Sequence, residues 1–275
     1  MGRLFGTDGA RGIANKELTC ELAMKIGRAA AMVLTDSTHS RPRILIGKDT
    51  RISSDMLDGA LTAGLCSVGA DVISLGVVPT PAVAFLVGKY KADAGIMISA
   101  SHNPCEFNGI KIFSGDGYKL PDALEEQIEA IVLDQAQVPP CPVGGAIGRV
   151  TVAERAVKDY VDHIKRTVPF ALDGMNIAID CANGSASRTA EKLFTELGAT
   201  VHMLADQPDG ININEHCGST HMENLMQYVK EHEGIDAGIA FDGDADRFLA
   251  VDEKGNFLDG DYIMAIIAAD MRSRC

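Results

Sequence analysis

Features that mark membrane, nucleic-acid-binding and disulfide-rich proteins are scarce in this sequence of 275 residues. No apolar run approaches the roughly 20 residues that a membrane-spanning helix needs. The net charge of −13 argues against a nucleic-acid partner, because phosphate backbones attract basic surfaces. The seven cysteines are scattered, without the two-residue spacing of zinc sites and redox pairs. Their odd number, with no signal peptide, predicts a cytoplasmic protein with free thiols.

The remaining composition is that of a soluble globular protein. Hydrophobic residues make up 46% of the chain and charged residues 23%. A chain of 275 residues exceeds the usual size of one hydrophobic core. Two domains are therefore expected.

The most informative stretch is residues 97–113, where an apolar run over residues 95–98 ends in polar turn residues. Such a run is typical of a buried strand, and ligands of α/β proteins bind at strand ends. Ser101, His102 and Lys111 supply a hydroxyl nucleophile, a proton carrier and a cation that can reach a phosphate. Taken alone, residues 101–104 fit an ordinary polar turn equally well.

A second loop carries three carboxylates at alternate positions, Asp242, Asp244 and Asp246. Such carboxylates repel one another unless a divalent cation neutralises them, and Mg²⁺ suits phosphate chemistry best. Arg247 follows directly and can hold an anion beside the metal. A calcium-binding EF-hand is a rival interpretation, since Glu253 falls at the twelfth position, but Arg247 replaces the required glycine. A solvated acidic turn is the other alternative.

An internal repeat relates these two loops. Similar short segments recur in the same order, with unequal spacing: residues 44–46 and 177–179, residues 69–72 and 198–201, and residues 93–96 and 236–239. Two copies of one unit, with loops of different length, explain this pattern. The serine loop and the aspartate loop then follow matching strands, and packing of the two copies directs both into one cleft.

Strands alternate with helices along the chain, which predicts an α/β fold. We expect two repeated domains, each with a mixed, mostly parallel sheet flanked by helices, plus the start of a third. The first domain is predicted over residues 1–150 and ends in a segment rich in proline and glycine. The second is predicted over residues 151–253 and opens with a helix over residues 151–168 that bridges the copies. Residues 254–275 are expected to begin the third.

Four motifs together resemble the α-D-phosphohexomutase superfamily. They are residues 5–12 (Phe-Gly-Thr-Asp-Gly-Ala-Arg-Gly), the serine loop at 99–104 with Asn-Gly-Ile-Lys at 108–111, residues 180–184 (Asp-Cys-Ala-Asn-Gly), and residues 242–247 (Asp-Gly-Asp-Ala-Asp-Arg). The motifs span nearly the whole chain in the order of the family. The first and last have the form of the bacterial branch that acts on glucosamine phosphates. Without this resemblance, residues 2–12 are also compatible with a disordered amino terminus.

The resemblance implies an isomerase that carries Ser101 as phosphoserine. Its phosphoryl group passes to a sugar monophosphate, and the opposite phosphate of the resulting bisphosphate returns to the serine. Glucosamine 6-phosphate and glucosamine 1-phosphate would thus interconvert, in amino-sugar nucleotide and cell-wall precursor synthesis. Mg²⁺ would be bound by Ser101, Asp242, Asp244 and Asp246.

The same resemblance assigns the groups around the transferred phosphate. Arg11, His102, Lys111 and Arg247 would surround it, with His102 or Lys111 as the proton carrier. The first domain would then be the phosphoserine domain, the second the metal-binding domain, and residues 254–275 the truncated start of a sugar-binding domain.

Length is the departure from the family, whose members have four domains. The later sugar-reading and phosphate-binding loops are not in this sequence, so the preferred hexose and the activity of this chain stay open. The alternatives are a phosphoglucomutase or phosphomannomutase of the same superfamily, and a non-catalytic fragment that binds sugar phosphate or metal. The oligomeric state stays open, with a homodimer as one alternative.

Overall fold

The computed structural model describes residues 3–6, 9–38 and 41–273, without the side chains of residues 36–38. Thr7 and Asp8, which belong to the amino-terminal motif, lie outside the described residues. Within these ranges the strands are β1 Ala10–Ile13, β2 Arg43–Lys48, β3 Asp71–Val77, β4 Ala94–Ile98, β5 Phe107–Ser114, β6 Val150–Val152, β7 Asn176–Asp180, β8 Thr200–Leu204, β9 Ala237–Phe241, β10 Phe248–Val251 and β11 Phe257–Leu258. The helices are α1 Cys20–Thr38, α2 Ile52–Ser67, α3 Thr80–Tyr90, α4 Asp122–Asp134, α5 Ala156–Thr167, α6 Ala190–Glu196, α7 Glu223–Glu231 and α8 Gly260–Ser273.

The first sheet has six strands in the order β1-β5-β4-β2-β3-β6. Strands β4, β2, β3 and β6 run parallel, while β5 is antiparallel to both β4 and β1. Neighbouring side chains of β2 point to opposite faces: Ile44 and Ile46 pack beneath α1, α2 and α4, whereas Leu45 packs beneath α3 and α5. Helices therefore cover this sheet on both faces, as the alternation of elements predicted.

The second sheet has five strands in the order β11-β10-β9-β7-β8. Strands β8, β7 and β9 are parallel, and β10 and β11 continue the sheet antiparallel. Ile177 and Ile179 face the side of α6, while Ala178 packs with Leu225 and Val229 of α7. The predicted α/β class with two mixed sheets is confirmed.

The internal repeat is visible in the backbone. Asp93, before β4, accepts a hydrogen bond at Oδ2 from the Arg43 N–H of β2 at 2.7 Å. Asp236, before β9, accepts one from the Asn176 N–H of β7 at 2.8 Å. Each aspartate thus fixes the start of a central strand pair, and the serine and aspartate loops begin where the equivalent strands β4 and β9 end.

The predicted helix over residues 151–168 is wrong at its beginning. Residues 150–152 form β6, which pairs with β3, and α5 begins only at Ala156. Ala156 and Tyr160 of α5 are buried in the core of the first sheet. The division between residues 150 and 151 stays a prediction, and β6 lies across it.

The segment that was expected to begin a third domain forms α8 after β11. Within its described part no residue is buried, and Tyr262, Met264 and Met271 are each at least 60% exposed. That these residues begin a third domain stays a prediction. In the part of the chain that the structure describes, every helix is too short or too polar to cross a bilayer.

Candidate functional site

The serine loop and the aspartate loop meet although 141 positions separate their central residues. The hydroxyl of Ser101 donates to Asp242 Oδ2 at 2.7 Å, and both residues are buried. The two loops follow equivalent strands of separate sheets, so the meeting point lies between the two copies. This is the juxtaposition on which the sequence-based prediction depended.

The three aspartates of the second loop form a compact set of ligand atoms. Asp242, Asp244 and Asp246 each offer a carboxylate oxygen, and these oxygens lie within 4.8 Å of one another. Asp242 is 1% exposed and Asp244 is 0% exposed, whereas Asp246 lies at the surface. Asp244 Oδ1 is buried without a hydrogen-bond partner among the described residues. A buried, unsatisfied carboxylate oxygen beside two further carboxylates fits a hard divalent cation.

The second oxygen of Asp244 is held from the first copy. Asp244 Oδ2 accepts hydrogen bonds of 2.7 Å from the Thr80 hydroxyl and of 2.7 Å from Lys111 Nζ. Lys111 lies on β5 opposite Met97 of β4, and its Nζ is also 3.5 Å from Asp246. The lysine therefore binds two of the three carboxylates and offsets part of their charge.

The pKa values of the two buried aspartates move in opposite directions. Burial, followed by the charge of Asp244, raises the pKa of Asp242 above its ordinary value. Burial acts to raise the pKa of Asp244 too, but the Lys111 ammonium and the Thr80 hydroxyl outweigh it and lower that pKa. Asp244 is thus the carboxylate that is held ionised, and Asp242 is the one that depends most on a further positive charge.

Arg247 joins the hydroxyl to the acidic loop. Its Nη2 donates to Asp242 Oδ2 at 2.9 Å and to the Ser101 hydroxyl oxygen at 2.5 Å, and it contacts His102 Nδ1. Its Nε also donates to Asp242 Oδ2 at 3.2 Å, and the side chain is 54% exposed. A guanidinium in this position can bind the oxygens of an anionic group such as phosphate.

His102 lies at the surface beside Ser101. Partial burial of the ring, followed by the positive charges of Arg247 and Arg11, lowers the pKa of His102. The imidazole is therefore neutral at pH 7 and able to accept a proton. Because Nδ1 accepts the hydrogen bond from Arg247 Nη2, the neutral ring carries its hydrogen on Nε2, and Nδ1 can take up a proton only when Arg247 releases it.

Arg11 reaches the site from β1. Its backbone is opposite Gly109 of β5, and a Cβ at Gly109 would lie 3.0 Å from Arg11 Cγ and 2.6 Å from the Ser99 carbonyl oxygen. Glycine at this position thus permits the close approach of β1 to the serine loop. The structure brings together all the predicted site residues, from three loops and strands of the first copy and one loop of the second.

A small cavity of about 190 Å³ lies beside the carboxylates. Gly9, Thr80, Lys111, Lys119 and Asp246 contribute to its walls. Both copies therefore line it, and it lies next to the ammonium that contacts Asp244. Glu125 also lines it, so its walls carry both charges and suit a polar ligand.

Two residues that support the serine loop were missed at the sequence level. Arg51 is 1% exposed, pairs with Asp49, and donates to the backbone carbonyls of Ser101 and Asn103. Asn214 of the second copy donates to the same two carbonyls. An acidic residue and an arginine at the end of β2 gave a local signal for the first. Nothing in the sequence around Asn214 singles it out from the other asparagines of its loop.

Known proteins share this arrangement of domains. Residues 2–138 match the family described as Phosphoglucomutase/phosphomannomutase, alpha/beta/alpha domain I, and residues 158–255 match domain II of the same family. The phosphoglucosamine mutase of Clostridium novyi is 57% identical over 274 residues, covering 100% of this chain and 61% of that protein. The phosphoglucosamine mutase of Clostridium acetobutylicum is 58% identical over the same length and coverage.

A solved structure of the same family has a similar fold. The phosphoglucomutase/phosphomannomutase family protein of Burkholderia thailandensis superposes with a TM-score of 0.82 at 28% identity, over 98% of this chain and 59% of that one. The chain thus spans about 61% of the length of the two curated relatives named above. Two successive domain matches, over residues 2–138 and 158–255, together take in most of the sequence. The chain belongs to the phosphoglucomutase/phosphomannomutase family.

Proposed function

We propose that the protein interconverts glucosamine 6-phosphate and glucosamine 1-phosphate through a phosphoserine at Ser101. The observation that carries this proposal is the 2.7 Å hydrogen bond between the Ser101 hydroxyl and Asp242, with Arg247 on the same oxygen. The curated relatives are named phosphoglucosamine mutase, which supports glucosamine over glucose or mannose as the sugar. The activity is proposed for the whole protein, because the chain spans 61% of those relatives.

In the first step, the bond between phosphorus and Ser101 Oγ breaks, and a bond forms to a hydroxyl oxygen of the sugar monophosphate. The proton of that sugar hydroxyl passes to a base of the enzyme. The bisphosphate then turns over in the cleft, and its other phosphoryl group returns to Ser101 Oγ as the proton is given back. The net result moves one phosphate between the two ends of the sugar.

Phosphoryl transfer depends mainly on positioning and on neutralisation of oxygen charge. Arg247 and Arg11 supply fixed positive charge around the serine. His102, neutral at pH 7, is the proton acceptor in this proposal. Lys111 already donates to Asp244 at 2.7 Å, so its ammonium serves to hold the acidic loop and to attract the phosphate.

A divalent metal fits the unsatisfied oxygen of Asp244. Asp242, Asp244, Asp246 and an oxygen on Ser101 would hold it, and the proposed ion is Mg²⁺. When bound, the ion offsets the negative charge of the phosphate oxygens. A cytoplasmic location and a homodimer stay predictions.

The phosphoserine is tested by intact-mass measurement of the purified chain after incubation with Mg²⁺ and a hexose 1,6-bisphosphate. We expect a mass increase of one phosphoryl group, located at Ser101 by peptide mapping and absent from Ser101→Ala. Ser273→Ala is the control, because it removes an exposed hydroxyl at the end of α8. Equal phosphate uptake by Ser101→Ala would remove the proposed nucleophile.

The metal site is tested by titration with Mn²⁺ as a spectroscopic substitute for Mg²⁺. We expect Asp244→Asn to weaken binding by about 100-fold or more, because it removes a buried ligand charge. Glu233→Gln, which neutralises an exposed carboxylate of the same copy, is the control. Unchanged Mn²⁺ affinity in Asp244→Asn would place the metal elsewhere. In the full-length protein, a turnover assay with glucosamine 6-phosphate then separates a mutase from a protein that only binds sugar phosphate.

A further inference from the structure

The backbone of the serine loop adopts a conformation that needs support. Ser101 has φ +54°, in the left-handed region that few residues other than glycine adopt. Its N–H donates to the Ser99 hydroxyl at 2.9 Å, which fixes one side of the residue. The Ser99 hydroxyl in turn donates to Asp49 Oδ2 at 2.6 Å. The amide side of Ser101 is therefore held entirely from the first copy.

The carbonyl side is held from both copies. Arg51 Nη2 donates to the Ser101 carbonyl at 3.1 Å and to the Asn103 carbonyl. Asn214 Nδ2 donates to the same two oxygens, at 2.9 Å and 3.0 Å. Two side chains, one from each copy, thus converge on one pair of carbonyl oxygens.

Asn214 is itself held firmly. It is 6% exposed, has φ +59°, and its N–H donates to the Ala182 carbonyl at 2.9 Å. Asparagine tolerates this left-handed conformation better than most residues. A Cβ at Gly243 would lie 2.8 Å from Asn214 Nδ2 and 2.7 Å from the Ser101 carbonyl oxygen, so only glycine leaves room for this contact.

The residues around Arg51 tie the same region to the second copy. The Thr50 hydroxyl donates to the Asn183 carbonyl at 2.6 Å, and the Ile52 N–H donates to the Gly210 carbonyl at 2.8 Å. Gly210 and Asn214 belong to one loop between β8 and α7. That loop therefore contacts the first copy both beside Arg51 and at the serine loop.

We propose that Asn214 is a positioning residue of the second copy, which fixes the carbonyl of Ser101 and thereby the direction of its hydroxyl toward Asp242. The hydrogen bonds that Asn214 Nδ2 donates go to backbone carbonyls, not to the hydroxyl or to a carboxylate of the aspartate loop. It acts through the backbone, and it makes the geometry of the nucleophile depend on correct packing of the two copies. The catalytic part of this inference rests on the proposed function, whereas its structural part does not.

The test replaces Asn214 with aspartate, which keeps the shape and the tolerance of positive φ. An ionised carboxylate has no N–H to donate, so both carbonyl oxygens lose a bond. Asn214→Gly is the second variant, because glycine accepts φ +59° and adds no charge. Asn224→Asp is the matched control: it makes the same change at an exposed asparagine that donates to the His216 carbonyl at 2.8 Å.

The first measurement is amide hydrogen exchange. We expect exchange of the peptide that covers residues 99–104 to increase by about tenfold in both Asn214 variants, with other peptides of the first sheet unchanged. Exchange in that peptide equal to that of Asn224→Asp would overturn the proposal. This result stands whether or not the protein transfers phosphate.

The second measurement is the rate of Ser101 phosphorylation by a hexose 1,6-bisphosphate with Mg²⁺. Misdirection of a nucleophile slows the step itself, so we expect the maximal rate to fall by about 10- to 100-fold with the half-saturating concentration unchanged. A residue that only supports folding would lower the amount of active protein in proportion to lost stability, which a denaturant titration measures. A normal maximal rate per folded molecule would overturn the positioning role. No phosphorylation of the unmodified chain would instead count against the proposed function.

Discussion

The two copies of the repeated unit share the same arrangement of central strands but differ in how deeply those strands are buried. In the first copy all five residues of the central strand β4 are buried, whereas in the second the equivalent strand β9 alternates between buried and partly exposed residues. Both strands begin after an aspartate that binds the backbone of the neighbouring strand. The shared arrangement of strands therefore determines where each loop begins. The sequence of the loop determines whether a hydroxyl or a set of carboxylates lies at that position.

The largest effect is expected in the two cores. Ile46 of β2 and Ile179 of β7 hold equivalent positions and are 1% and 0% exposed. Truncation to alanine costs about 2–5 kcal/mol, and more where the surroundings cannot collapse. We expect Ile46→Ala to lower the free energy of unfolding more than Ile179→Ala, because Ile46 belongs to the larger cluster. Urea titrations measure the free energy of unfolding of both variants. An equal loss, or a larger loss for Ile179→Ala, would mean that the size of the surrounding cluster does not determine the cost of truncation.

The contact between the copies is the next target. Gly243→Ala places a methyl group 2.7 Å from the Ser101 carbonyl oxygen. Such crowding costs about 1–3 kcal/mol or forces the loops apart. We expect weaker Mn²⁺ binding and slower phosphorylation of Ser101. Gly260→Ala, where an added Cβ meets nothing within 4 Å, is the control. Unchanged behaviour of Gly243→Ala would show that the two loops separate freely.

A smaller effect is expected at the aspartate that binds the backbone of the neighbouring strand in each copy. Asp93→Ala and Asp236→Ala each remove one hydrogen bond to a backbone N–H, which contributes about 1 kcal/mol. We expect the loss to be greater for Asp93, which is partly buried, than for the exposed Asp236. Thermal unfolding of the two variants measures this order. Equal stability losses would show that burial of the aspartate does not matter for its role.

The smallest effect concerns acid sensitivity of the first copy. Glu129 is buried and accepts hydrogen bonds from the N–H groups of Arg3, Leu4 and Phe5. Burial acts to raise the pKa of Glu129, but these bonds outweigh it and lower that pKa below 4.5. The stabilisation is therefore present above about pH 4.5 and is lost as the pH falls through the lowered pKa.

Glu129→Gln should loosen the amino-terminal segment by about 0.5 kcal/mol at pH 7 and remove its acid dependence. Hydrogen exchange of Leu4 and Phe5 across pH 3–6, expressed as protection relative to the unfolded chain, measures this. Glu126→Gln, an exposed neighbour on α4, is the control. Acid dependence that persists in Glu129→Gln would assign it to another group.

The strand ends were predictable because each combines a short apolar run with turn residues. Ser101, His102 and the three aspartates follow such runs directly, so local sequence was enough to place them at the edge of a sheet. The start of α5 was not predictable in the same way. Residues 150–152 all have β-branched side chains, but only pairing with β3, far away in the chain, makes them a strand.

The support of the serine loop shows the same limit. Asp49 and Arg51 lie at a strand end, yet nothing local indicates that the arginine turns inward to the carbonyls of Ser101 and Asn103. Asn214 reaches those carbonyls across 113 and 111 positions of sequence. Contacts of this kind depend on how two domains pack, and single-sequence patterns carry no record of that packing.

The left-handed backbone at Ser101 also bears on which alcohol side chain can serve as the proposed nucleophile. Threonine offers the same hydroxyl, but its branched Cβ makes φ near +54° a severe outlier. Ser101→Thr would have to move its backbone out of this conformation and so carry its oxygen away from Asp242. The turn geometry, rather than the chemistry of the hydroxyl, thus restricts this position to serine.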